Sequence, residues 1–172
     1  KLRNEPKTID LGNSGTSLRL LSAAAGIFDK KITFDGDNSL RTRTMDSLLN
    51  ALEMLGAETS STNGKAPLSV KGPIKGGKCT VSGVTSQYLS ALLLSAPFAP
   101  EDTIIELEHL NEQPYVEMTL KWLDFLGIKY SASKDLLHFQ VNGNQKFKPG
   151  KVAIRNLRFA TKAEAKVPSG CK

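Results

Sequence analysis

The sequence predicts an α/β (α+β) fold built from a repeated helix–strand–helix–strand–strand unit. Three observations carry that prediction. Apolar residues recur at helical spacing in four segments, and they alternate with polar ones in short runs between those segments. The pattern then recurs after 71 residues. The glycine and proline stops that end the segments recur with it.

The repeat is legible position by position. Leu18, Leu21 and Ala25 fall on Leu89, Leu92 and Ala96. Met45, Leu49, Leu52, Leu55 and Gly56 fall on Val116, Leu120, Leu123, Leu126 and Gly127. Leu68, Val70 and Gly72 fall on Phe139, Val141 and Gly143. Residue type, spacing and helix stops agree together, which chance does not readily produce.

In chain order, Thr16 to Phe28 carries one apolar stripe and predicts a helix. Ile32 and Phe34 alternate with polar neighbours and predict a strand. Arg43 to Leu55 predicts a second helix, with Gly56 suited to its left-handed stop. Leu68 and Val70 predict a strand ending at Gly72. The second copy gives a helix from Ser86 to Ala96 closed by Pro97, and a strand from Thr103 to Leu107. A helix follows from Pro114, a residue suited to a first helical position, to Leu126. Leu137, Phe139 and Val141 predict the last strand. The segments Leu89 to Ala96 and Val116 to Leu126 are apolar around much of their girth, so both helices are expected to be buried and to pack together. The expected divisions are 1–8, the end of a preceding unit, then 9–77, 78–149 and a basic tail, 150–172.

Size and composition bound the function. At 172 residues the chain can bury one domain core, or two small lobes. Its most apolar stretch, Leu89 to Ala99, is too short to cross a bilayer. The polar start, Lys1 to Asp10, has no secretory pattern, and without an initiator methionine the chain is expected to begin inside a longer protein. Cys79 and Cys171 make neither a metal pattern nor a disulfide framework, which predicts a reducing, cytoplasmic setting. Of the net charge of +6, six cations against Glu164 place +5 in residues 150–172. The remaining body is nearly neutral, which argues against a broad nucleic-acid surface.

The residues that carry chemistry cluster at helix starts. Gly12-Asn13-Ser14-Gly15-Thr16 is a polar turn running directly into a helix. Helix N-termini present unpaired N–H groups and attract anions, and Gly15 lets a ligand approach the backbone. A plain N-cap by Ser14 or Thr16 is the bland alternative. No Gly-Lys-Ser/Thr follows, so this is not a Walker loop. The matching point of the second copy, Val84-Thr85-Ser86-Gln87, is again crowded with hydroxyl and amide groups. Two such starts facing one cleft would suit a ligand, or a ligand pair, with two negative groups. Arg43 precedes the next helix and offers a bidentate fork for phosphate or carboxylate, with Arg41 an equal candidate. Tyr115 stands at the matching place of the second copy, to line a ligand or simply to pack. His109 and His138 are isolated, and Glu106 and Glu108 are expected to share a solvated face.

Four motifs, in order, resemble the shikimate-pathway enolpyruvyl transferases, the 5-enolpyruvylshikimate-3-phosphate synthase family. They are Leu11-Gly-Asn-Ser-Gly-Thr-Ser-Leu-Arg19, Gly36-Asp-Asn-Ser-Leu-Arg-Thr-Arg43, Thr85-Ser-Gln-Tyr-Leu-Ser-Ala-Leu-Leu93 and Gln113-Pro-Tyr-Val-Glu-Met-Thr-Leu120. The resemblance spans roughly Leu11 to Gly143. It implies transfer of the enolpyruvyl group of phosphoenolpyruvate to shikimate 3-phosphate with release of phosphate, without metal or organic cofactor. It implies that Gly15 and Arg43 contact phosphoenolpyruvate, with Asn13 and Thr16 shaping that loop. Thr85, Ser86 and Gln87 match positions that hold shikimate 3-phosphate, and Tyr115 lies near its ring. It further implies a lobe of three stacked units, two of them here.

The departures bear on activity. The family's early Lys, Ser and Arg segment is absent, and so is the second lobe that supplies acid and base groups. No catalytic residue is therefore expected in this chain, and the chain is expected to be inactive alone. Glu112 stands where the family usually has a serine near the substrate phosphate, and a carboxylate there is expected to repel it. Leu20 replaces a usual proline, and Thr85 a common serine. Gly150 to Lys172 carries none of the family's motifs, and a frameshift, a gene-model error or a fused segment is the expected cause, with a functional basic tail the other reading. Two other readings remain open at this stage: the sister transferase acting on a UDP-amino sugar, and a non-catalytic module binding anions or a partner.

Overall fold

The computed structural model describes residues 8–148. Two mixed four-stranded sheets follow one another along the chain. The first unit contains β1 (Ile9–Asp10), α1 (Gly15–Ala25), β2 (Ile32–Asp35), α2 (Asp46–Met54), β3 (Glu58–Thr62) and β4 (Lys65–Lys71). The second contains β5 (Gly77–Thr80), α3 (Ser86–Ser95), β6 (Thr103–Glu106), α4 (Gln113–Leu126), β7 (Tyr130–Ala132) and β8 (His138–Val141).

The sheets share one topology. Their orders are β1-β2-β4-β3 and β5-β6-β8-β7, each with one parallel pair followed by two antiparallel pairs. The register carries the sequence offset: Ile32 pairs with Val70 where Thr103 pairs with Val141, and Thr59 with Val70 where Tyr130 pairs with Val141. Alternation explains the sheet faces. Ile32 and Phe34 point inward from β2, as do Phe139 and Val141 from β8. Phe34, Phe139, Leu18, Leu52, Leu89 and Leu92 are almost wholly buried, each worth about 1.5–3 kcal/mol by area.

Helix α1 packs against α3, and α3 against α4. Small and hydroxyl residues permit that approach. Ser22 Oγ donates to the Leu18 carbonyl at 2.6 Å, and Ser90 and Thr119 share a hydrogen bond at 2.8 Å, so their burial leaves no orphaned hydroxyl. Gly56, at φ +99°, and Gly127, at φ +72°, take the left-handed turns that end α2 and α4.

Four expectations change. The first helix ends at Ala25, because the Gly26 and Phe28 carbonyls are taken by the N–H groups of Ile74 and Gly72. The second begins at Asp46, preceded by a short 3-10 turn over Leu40–Thr42, and Arg43 is extended. Asp37 caps that turn at Leu40 N–H, and Asp46 is the acid that suits the first turn of α2. The polar strands β3 and β7 carry no apolar alternation to announce them. Helix α3 is buried on nearly every side, but α4 buries only Val116, Thr119 and Leu123. Tyr115, Met118, Trp122 and Phe125 form an exposed face. The expected tail 150–172, and residues 1–7 of the expected leading segment, lie outside the described residues.

Candidate functional site

The start of α1 is built by a turn and an arginine. Gly12, at φ +55°, adopts a left-handed conformation, and its N–H donates to Asp10 Oδ1 at 2.9 Å. Ser14 caps the helix by accepting the Ser17 N–H at 3.2 Å. Because Arg43 is extended, its guanidinium lies over Gly15, where a Cβ would collide with Nη1. Nη2 donates to Asn13 Oδ1 at 2.8 Å. The two arginines that sequence could not separate now differ. Arg41 is committed to Asp35 through Nε and Nη2, at 2.8 and 2.6 Å, and it holds the Asp35 carboxyl below the usual carboxylate range. Among the described residues no carboxylate pairs with Arg43.

The start of α3 is built differently. Thr85 is its N-cap and accepts the Gln87 N–H at 3.3 Å. Glu112, from the loop before α4, reaches across so that its Oε2 accepts Ser86 N–H at 2.9 Å and Ser86 Oγ–H at 2.8 Å. The Ser86 backbone first, then its hydroxyl, hold the Glu112 carboxyl below its ordinary value. Arg19 lowers it further by charge.

The two starts meet. Gln87 Nε2 donates to Thr16 Oγ1 at 3.1 Å, across 71 residues, so these two side chains occupy equivalent positions of the repeat. Arg19 Nη1 donates to Gln87 Oε1 at 2.7 Å, and its guanidinium lies 5.5 Å from the Tyr88 ring centre. Thr16, Ser86, Gln87, Glu112 and Tyr115 line one groove of about 630 Å³, floored by apolar residues from α3 and α4. Tyr115 is 59% exposed, so it lines the groove rather than packing. Gly15, Asn13 and Arg43 form a cluster adjoining it through Thr16. Sequence reasoning gave Arg19 no role, although its place in the first quoted motif, one turn beyond Gly15, was available as a signal.

A second cavity, of about 640 Å³, lies away from both helix starts and is lined by Asp46, Glu106, Glu108 and His138 among others. Its carboxylates are not a free pair. Glu106 is half-buried and bonded to Lys78 at 2.9 Å, while Glu108 is exposed. Cys79 is buried, which pushes its thiol up to about 12 and leaves it unreactive.

Fold and groove together define an α/β protein in which two equivalent helix starts, one with Arg43 over Gly15 and one with Arg19 on Gln87, open on shared space. The EPSP synthase family (3-phosphoshikimate 1-carboxyvinyltransferase) matches residues 1–158. The 3-phosphoshikimate 1-carboxyvinyltransferase of Acetivibrio thermocellus is 47% identical over 148 residues, covering 85% of this chain and 35% of that protein. The Methanosarcina acetivorans protein of that name is 42% identical over 144 residues, covering 81% of this chain and 34% of its own. The solved structure of EPSP synthase from Acinetobacter baumannii superposes with a TM-score of 0.71 at 26% identity, covering 81% of this chain and 31% of that one. The chain belongs to the EPSP synthase family. It spans about a third of the length of the curated relatives it matches.

Proposed function

We propose that this chain is the substrate-binding part of an enzyme of aromatic amino acid biosynthesis. That enzyme transfers the enolpyruvyl group of phosphoenolpyruvate to shikimate 3-phosphate and releases phosphate. The start of α1, with Gly15, Asn13, Thr16 and Arg43, takes phosphoenolpyruvate. The start of α3, with Thr85, Ser86 and Gln87, takes shikimate 3-phosphate, with Tyr115 beside its ring. The acid and base groups come from outside this chain, which is inactive alone. The setting is the cytoplasm. No helix among the described residues is long and apolar enough to cross a membrane.

One observation carries the reading: the Arg43 guanidinium, unpaired by any carboxylate among the described residues, lies over the bare backbone of Gly15 at a helix start. Calorimetry with shikimate 3-phosphate, combined with a product assay containing both substrates, tests it. Gln87→Ala should weaken shikimate 3-phosphate, and no product should form. Unchanged affinity would break the assignment of the α3 start, and measurable turnover would show that the missing groups are not needed.

A further inference from the structure

The start of α3 already holds an anion, and that anion belongs to the protein. A helix start attracts anions through N–H groups that lack partners. At α3 the Ser86 N–H donates to Glu112, the Gln87 N–H to Thr85 Oγ1 and the Tyr88 N–H to the Thr85 carbonyl. The Ser86 hydroxyl also donates to Glu112. Thr85 Oγ1 adds a longer contact to the same carboxylate at 3.4 Å. Arg19 supplies the nearby positive charge. A bound phosphate or carboxylate would draw on these same groups.

Glu112 is not serving its own helix. It directly precedes α4, yet its side chain caps none of the α4 N–H groups. Pro114 in the first turn of α4 has no N–H to satisfy, so α4 loses little when this carboxylate reaches away to α3. Ser86 is only 3% exposed, whereas Glu112 is half-buried at the groove edge. The carboxylate can therefore swing to solvent while the donors stay fixed on the buried helix.

We propose that Glu112 is an internal competitor for the shikimate 3-phosphate end of the groove, occupying the Ser86 donors that an incoming phosphate or carboxylate must take. This rests on the assignment of Thr85, Ser86 and Gln87 to that ligand. Glu112 then sets the affinity of this end. It disfavours an anion that offers only what the carboxylate already supplies. A ligand succeeds when it also engages groups that Glu112 leaves untouched, such as Tyr115.

Calorimetry of the whole chain at fixed salt and near-neutral pH, with shikimate 3-phosphate and inorganic phosphate as probes, tests the proposal. Glu112→Ser should bind shikimate 3-phosphate roughly tenfold more tightly or better, because a charge repulsion and an occupied donor set both disappear. Glu112→Gln keeps the shape and one acceptor but not the charge, and should fall between Glu112→Ser and the parent. Adding Ser86→Ala to Glu112→Ser should remove part of the gain, because the hydroxyl is lost while the backbone N–H stays free. Thermal melts check that each variant folds, and the glutamine variant keeps the test decisive should the serine variant not fold. If the parent binds shikimate 3-phosphate and neither Glu112 variant binds either probe more tightly, the proposal is overturned while the site assignment stands. If neither the parent nor any variant binds either probe, the assignment fails and the proposal falls with it.

Discussion

The starts of α1 and α3 occupy equivalent places in two units of the same topology, yet side chains of opposite charge dock on their first residues. Gly15 and Ser86 both open a helix. Over Gly15 lies the Arg43 guanidinium, and against Ser86 lies the Glu112 carboxylate. Arg43 therefore reinforces the positive end of α1, and Glu112 opposes that of α3, where Arg19 sits one residue on, bonded to Gln87. The same local device stands in both units, and in each one long side chain from a neighbouring segment reaches over it. A helix N-terminus is thus a scaffold whose ligand preference is decided by what reaches over it.

The comparison rests on a shared support, and removing that support gives the largest effect. Leu92 is buried in α3, the helix that packs on both α1 and α4, so Leu92→Ala should cost about 2–5 kcal/mol in denaturant unfolding. A loss confined to one half of the molecule, seen as two transitions, would mean that the two starts do not share one core. Next comes Gly15→Ala. The new methyl displaces only the end of a flexible arginine, so stability should barely change. Phosphoenolpyruvate affinity should fall roughly tenfold or more, as expected for a lost charge-assisted contact of about 1.5–3 kcal/mol. An unchanged affinity in calorimetry would remove Arg43 from the α1 start.

Smaller effects sharpen the contrast. Gln87→Ala breaks the link from Arg19 and Thr16 to α3 and should cost about 1 kcal/mol of stability in chemical unfolding. No loss at all would mean that the two starts are merely adjacent. The smallest effect is a pH dependence. Glu112 has a lowered folded-state value, so its contribution is present above the ordinary carboxylate range and is lost as pH falls through that lowered value. Between about pH 7 and about pH 3, the parent should lose more melting temperature than Glu112→Gln, and the two should converge in acid. Parallel curves would show that the carboxylate is not docked on Ser86.

Much of this architecture was legible in the residues, and the gaps have physical causes. The alternation of Ile32 with Phe34 and of Phe139 with Val141 announces strands because one sheet face is buried. Glu58–Thr62 gives no such signal because nearly all of it faces solvent, and its pairing is fixed by its neighbour β4. Tyr115, Met118, Trp122 and Phe125 share a helical stripe that looks like core, but periodicity states which residues share a face and not what covers it. The site divides in the same way. Hydroxyl and amide groups at two helix starts are visible as sequence. The choice between Arg41 and Arg43 is not, because it depends on a short turn that brings Arg41 to Asp35. Glu112 is visible as an unexpected charge. Its docking on Ser86 depends on how α4 approaches α3, which no local pattern encodes.

The contrast between the two starts can be read residue by residue. In a nitrogen-15-labelled sample of the parent chain titrated with phosphoenolpyruvate, the Gly15 and Thr16 amides should shift first and saturate. The Ser86 amide, held by Glu112, should stay in place. A titration in which Ser86 responds while Gly15 and Thr16 remain still would contradict the account.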